Sequence, residues 1–227
     1  MKRSKRYKSE VKKIDKSKKY TKEEALKVAK ESASSKFDES IDAIIRLNLK
    51  DKQKKESVRG TVSFPNIVGE SPVVVVIADS ADQKKAKTAG ADHVGLEDLI
   101  EKIDKGWTEF DVLIATPAVM PKIGKLGKVI GARGLMPNPK NDTVTNDVER
   151  SVKNFKAGKT NFKMSEQGSF QIRFAKSKMT EEQIVENLNE LMNSINDAVK
   201  KFGENIIKSV TISSTMGPAI KVDVNTL

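Results

Sequence analysis

Cysteine is absent from the 227 residues, so neither a disulfide framework nor a thiolate metal site can exist, and a reducing compartment is the natural expectation. Histidine is nearly absent. His93 stands alone, which leaves no cluster from which a histidine metal centre could be built, and its default role is structural. Aromatic residues make up 5% of the chain, too few for a recognition surface made of rows of stacked bases. Long apolar runs are also missing: the longest, Pro72 to Ala78, is far shorter than the ~20 residues that cross a bilayer. No apolar signal region follows the basic, polar N-terminus, so a soluble cytoplasmic protein that does not engage a membrane is expected.

Positive charge is what the chain has in excess. Forty-two Lys and Arg stand against 31 Asp and Glu, for a formal net charge of +11. The excess is localised: residues 1–66 hold 20 basic and 10 acidic side chains, whereas 67–158 hold 13 of each. The opening MKRSKRYKSEVKKIDKSKK alone carries ten basic and two acidic residues. Such a segment is either a solvated tail or an arm that attracts polyanions by counterion release, and nucleic acid is the commonest such partner.

Hydrophobic periodicity divides the rest. Thr21 followed by Glu24 marks a capping box, and Ala25, Leu26, Val28 and Ala29 form the apolar stripe of the helix it opens. Ile41, Ala43, Ile45, Leu47 and Leu49 then alternate with polar residues, which predicts a half-buried strand. A highly charged turn leads to a second strand, SVRGTVSF, ending at Pro65. The continuous valines of SPVVVVIADS suit a strand buried on both faces, and strands alternate with helices from there to the glycine-rich stretch. Past Thr145, a predicted N-cap, comes a helix to about Ala157, and then TNFKMSEQGSFQIRFAK reads as a hairpin. Thr180 with Gln183 opens a long amphipathic helix, and two final strands flank a turn at Met216, Gly217 and Pro218. The expected architecture is a split α+β domain from both chain ends, residues 1–66 and 159–227, with a doubly wound (Rossmann-like) α/β domain inserted at 67–158. A hinge is expected near Phe64 to Val68 and Ala157 to Thr160.

An enzyme reading fares poorly. No G-x-x-x-x-G-K-[ST] loop occurs, and VVVVIADSADQKK lacks a dinucleotide-binding G-x-G-x-x-G. Asp79 and Asp82 could form a phosphotransfer pair in the middle domain, but helix capping is the simpler role. IGKLGKVIGARGLMPNPK, Ile123 to Lys140, combines four glycines, two prolines and four basic residues. Its G-x-x-G resembles a KH loop that clamps nucleic acid, with Lys125, Lys128 and Arg133 supplying charge; a glycine-rich connection stiffened by Pro137 and Pro139 ranks above that reading. Phe37 lies between a helix and a strand, where core packing is the usual fate. In SSTMGP, hydroxyls at Ser213, Ser214 and Thr215 and the backbone at Gly217 could read the 2′-OH and phosphate of RNA while Met216 covers a sugar or base; a tight hairpin turn is the plainer alternative.

KRYK near the start, SKFDES, VRGTVSFP, GADHVG, W-x-x-FDVLIATP, GKLGKVIGARGLMPNPK, KAGK and SSTMGP occur in an order that resembles the bacterial form of the large-subunit ribosomal protein L-one family. The resemblance covers nearly the whole chain and implies a non-enzymatic protein, monomeric when free and without cofactor or metal. It implies binding to the ribosomal RNA of the mobile stalk beside the tRNA exit site, help in releasing deacylated tRNA, and repression through a similar fold in its own mRNA. Carried over by position, RNA contacts fall on Lys36, Phe37, Asp38, Ser40 and Arg46 on one side of a surface. Ser209, Thr215, Met216 and Gly217 form the other side. The hairpin departs from the family pattern, although Lys176 still falls on its final lysine.

Overall fold

A computed structural model describes residues 4–15, 18–33, 35–49, 58–203 and 206–224. The charged turn expected after the first strand lies at 50–57, outside the described residues. The chain divides into two compact units, Met1–Gly69 with Asn161–Leu227, and Glu70–Thr160.

The first unit is built on an antiparallel four-stranded sheet. Its strands are β1 (Ser40–Leu47), β7 (Ser169–Lys176), β8 (Ile207–Ser214) and β9 (Ile220–Val222), in the order β7-β1-β8-β9. The period-two pattern turns Ile41, Ala43 and Ile45 inward beside Phe170, Phe174, Val210 and Ile212, all at 0% exposure. Helices α2 (Lys22–Ser32) and α8 (Glu181–Val199) cover that face through Ala25, Leu26, Ile184, Leu188 and Leu191. Burying each large aliphatic or phenyl side chain here stabilises the unit by about 1.5–3 kcal/mol. Both helices start at complete capping boxes, Thr21 with Glu24 and Thr180 with Gln183, so two otherwise orphaned amides are satisfied at each start.

The expected hairpin at 160–176 does not form. Strand β6 (Lys159–Lys163) pairs with β2 (Arg59–Ser63) in a separate two-stranded sheet, while β7 joins β1. Phe162 decides this partition. Its ring lies so close to Gly60 that a first side-chain carbon at residue 60 would sit 2.6 Å from it, and it meets Phe170 edge to face at 5.4 Å. Only glycine permits that approach. Asn187, fully buried in α8, donates its amide to the carbonyls of Asn66 and Phe174 and accepts from the Asn66 amide, which pins the chain just after β2. Of the residues expected at a hinge, Phe64 is buried in this unit's core and Val68 packs against it. Ala157 follows the last turn of α7 (Val148–Lys156), and Thr160 lies on β6.

The second unit holds a parallel sheet in which β3 (Val74–Ile77) lies between β4 (His93–Gly95) and β5 (Val112–Ala115). Both faces are covered. Val75, Ile77, Leu113 and Ala115 pack on α4 (Glu97–Asp104) and on the segment from Pro117 to Ala132, while Val74, Val76 and Ile114 pack on α3 (Ser80–Thr88) and α7. This double burial accounts for the unbroken valine run. Thr145 is not the cap of α7: Asp147 is, accepting from the Arg150 amide, and Thr145 accepts from Asp147 one step earlier. Asp79 stands at the N-cap of α3 without a side-chain capping bond.

The glycine-rich stretch is not a loop over its first half. It continues from Pro117–Val119 through α5 (Met120–Ile123), a 3-10 turn at Gly124–Leu126 and α6 (Gly127–Ala132). Ile123, Leu126 and Ile130, at helical spacing, bury themselves against the sheet, and that stripe outweighs the low helix propensity of the glycines. Arg133 donates to the Thr108 carbonyl at 3.2 Å. His93 packs edge-on against Trp107 at 5.0 Å.

Candidate nucleic-acid interface

The outward side of β1 and β8 carries Asp42, Ile44 and Arg46 paired in register with Ser213, Thr211 and Ser209. Arg46 and Ser209 face each other directly across the ladder, Arg46 exposed and Ser209 half-buried. At ~3.3 Å per residue they sit roughly 20 Å along β1 from Ser40, where the remaining candidates gather. Between the two groups Arg173 approaches Asp42 at 3.9 Å.

At the Ser40 end, the turn after β8 is stitched to the start of β1. The Thr215 amide donates to the Ser40 carbonyl at 3.0 Å, the Thr215 hydroxyl donates to the same carbonyl at 3.2 Å, and the Ser40 amide donates back to that hydroxyl at 3.0 Å. Gly217 sits where a first side-chain carbon would collide with the Ser214 hydroxyl and come within 2.9 Å of the Ser32 hydroxyl, so close packing demands glycine. Asp38 accepts from the Ser177 hydroxyl at 2.8 Å and from the Lys178 amide, which ties the 35–40 segment to the end of β7. Its carboxylate therefore serves the scaffold. Lys176 is half-buried, with its side chain against Gly69; Lys36 is exposed.

Phe37 does not pack in the core. It is 54% exposed and Met216 is 52% exposed, two of the three large apolar side chains so exposed among the described residues.

Two residues central to this arrangement escape a reading of the sequence alone. Glu39 is fully buried, and its carboxylate accepts from the amides of Ser35 at 3.0 Å and Met216 at 2.9 Å. Burial alone would push this carboxyl up, but hydrogen bonds from Ser35 and the Met216 amide outweigh that and hold it below the usual glutamate value. A lowered folded value means the charged form stabilises the fold at neutral pH, and that contribution is lost as pH falls through the lowered value. Arg6, on helix α1 (Lys5–Lys12), donates to the Met216 carbonyl at 3.0 Å and the Ser35 hydroxyl at 3.2 Å, with its guanidinium 3.7 Å from Glu39. Part of the basic opening is thus a docked helix and not a solvated tail. For Glu39 a signal exists: it shares the inward parity of Ile41, Ala43 and Ile45, an odd place for an acid. For Arg6 there is none.

The surface offers hydroxyls, cations and two exposed apolar groups on internally bonded turns, which suits recognition of a preformed shape. Comparison with known proteins accords with this chemistry. Residues 29–218 match the model of the "Ribosomal protein L1p/L10e family". The chain belongs to that family. It is 44% identical over 223 residues to the "Large ribosomal subunit protein uL1" of Lactobacillus acidophilus, covering 98% of this chain and 97% of that one. The protein of the same name from Prochlorococcus marinus (strain MIT 9215) is 49% identical over 204 residues, 89% of this chain and 86% of the relative. Lactobacillus delbrueckii subsp. bulgaricus has another, 42% identical over 223 residues. The family is one of structural ribosomal proteins, and the chain is not an enzyme.

Proposed function

We propose that this protein binds large-subunit ribosomal RNA at the stalk beside the tRNA exit site. The contact surface comprises Phe37, Thr215, Met216 and Gly217, flanked by Lys36, Ser40, Lys176, Arg46 and Ser209. The observation that carries the reading is the pair of exposed apolar side chains, Phe37 and Met216, held on segments that hydrogen bonds tie to the rest of the unit. Rigid donors and apolar contacts need no reordering on binding, so their interaction energy goes into affinity. The names of the relatives, large-subunit ribosomal proteins, supply the class of partner.

A preformed surface selects a fold and not a base sequence, so a messenger leader with the same fold should compete for it, and repression of the protein's own mRNA follows. Help in releasing deacylated tRNA would come from the stalk as a whole. The second unit, read as an inserted doubly wound domain, and a hinge near Phe64 to Val68 and Ala157 to Thr160 complete the proposal; one fixed interdomain geometry in solution, with and without RNA, would remove the hinge. The direct test is equilibrium binding of a stalk RNA fragment to the wild type and to Met216→Ala, with the messenger leader as competitor. Unchanged affinity in the variant would remove Met216 from the surface.

A further inference from the structure

Helix α1 is the most basic helix among the described residues, and the simple account of it is an electrostatic arm. The placement of Arg6 says otherwise. Its guanidinium turns onto the protein, where it meets two distant segments at the Met216 carbonyl, the Ser35 hydroxyl and, at 3.7 Å, the Glu39 carboxylate. Glu39 in turn holds the amides of the same two residues, Ser35 and Met216. Arg6 and Glu39 thus grip Met216 from both sides, one by its carbonyl and one by its amide, and they grip Ser35, two residues before Phe37, by its hydroxyl and its amide.

We propose that Arg6 and Glu39 act as a positioning pair for the RNA surface, setting the directions in which Met216 and Phe37 project, so that the basic N-terminal helix governs affinity through geometry more than through charge. This rests on the RNA-binding reading above. The chemistry favours the assignment because a planar guanidinium can serve several acceptors in fixed directions, whereas an ammonium in its place is a point charge. Glu39, being fully buried, would otherwise be a charge without water and only partly compensated. Turns fixed before binding leave less ordering to be done when RNA arrives.

The test uses the full chain and a stalk RNA fragment across a salt series. Arg6→Lys keeps the charge and breaks the fork; it should lower affinity about tenfold with an unchanged dependence on salt, a shift of ~1.4 kcal/mol. Lys8→Ala removes an exposed charge from the same helix, and should lower the slope of log affinity against log salt by roughly 0.7–0.9 at most, with little further loss. Wild-type affinity in Arg6→Lys would overturn the proposal in favour of an arm. The double variant Arg6→Lys with Met216→Ala should lose less than the sum of the two single losses, since part of the effect of Arg6 passes through that turn; fully additive losses would also overturn it.

A readout without RNA separates this proposal from the one beneath it. In Arg6→Lys and Glu39→Gln the methyl resonance of Met216 and the amides of Ser35 and Met216 should shift and broaden, while those of β7 and α8 stay in place. If the Met216 resonances hold still, the positioning pair is refuted whatever the RNA does. If they move but Met216→Ala binds RNA like the wild type, the pair stands and Met216 leaves the RNA surface. Should Glu39→Gln fail to fold, Arg6→Lys, on a half-exposed residue, carries the test by itself.

Discussion

At Gly217 the hydroxyls of Ser214 and Ser32 occupy the space a side chain would need, whereas at Gly124, Gly127 and Gly131 no heavy atom among the described residues beyond the adjacent chain and helix backbone lies within 4 Å of that position. The four glycines look alike in sequence, and the three in the second unit sit in the more conspicuous, more basic run. Their surroundings reverse that ranking. Gly217 is required by its neighbours at the meeting point of a turn, a strand and a helix end. The other three lie along a helical segment whose burial rests on Ile123, Leu126 and Ile130, so glycine there is permitted and nothing in the protein itself asks for it. Composition marks a segment, but only packing shows which glycine the fold depends on.

The contrast can be broken first at Gly217. Gly217→Ala should cost about 1–3 kcal/mol in urea unfolding from overpacking, and should also displace Met216 and weaken stalk RNA binding. Wild-type stability would mean that the two serines move aside freely and that the turn is not fixed. Next comes Thr215. Replacing it by valine leaves the Ser40 amide without its acceptor, at about 1–3 kcal/mol, whereas serine keeps the bond; equal stability of the two variants would show the hydroxyl to be dispensable. Met216→Ala separates binding from folding: affinity should fall roughly tenfold, ~1.4 kcal/mol, with stability within about 0.5 kcal/mol of wild type. Smallest, and opposite in sign, are Gly124→Ala and Gly127→Ala. Both residues have right-handed helical dihedrals and open surroundings, so each substitution should stabilise the protein by about 0.5–1 kcal/mol and leave RNA affinity unchanged. Loss of RNA affinity in either would return the glycine-rich segment to the binding surface.

What is legible in the sequence follows the range of the interaction. The capping boxes at Thr21 and Thr180 are legible because cap and partner are three residues apart, and β1 is legible because alternation is a local pattern. The valine run signals burial on both faces through its composition alone. Pairing is less legible: Phe162 and Phe170 alternate as the arms of a hairpin would, and only the bare backbone at Gly60, a hundred residues away in sequence, draws β6 to β2 instead. The helix at Gly127–Ala132 is obscured by propensity, since glycine content signals loop more strongly than a three-residue apolar stripe signals helix. At the candidate interface, Thr215, Met216 and Gly217 carry a recognisable signature, but the bonds that hold Met216, from Arg6 and Glu39, connect residues far apart in the chain.

The strand order β7-β1-β8-β9 also has a consequence for the order of events during synthesis. Ser40 pairs with Lys176 and bonds to Thr215, so the first strand made waits for the last ones before it has a neighbour on either side. The parallel sheet β4-β3-β5 has all its strands within Glu70–Thr160 and can close while later strands are still being made. Until the final strands arrive, the basic N-terminal segment and the apolar side of β1 are held open, in a form with high contact order and an unpaired edge. The Met216 turn comes after eight of the nine described strands. In a nascent chain the candidate surface, which joins Ser40 to Thr215, can therefore form only after the Met216 turn has been made.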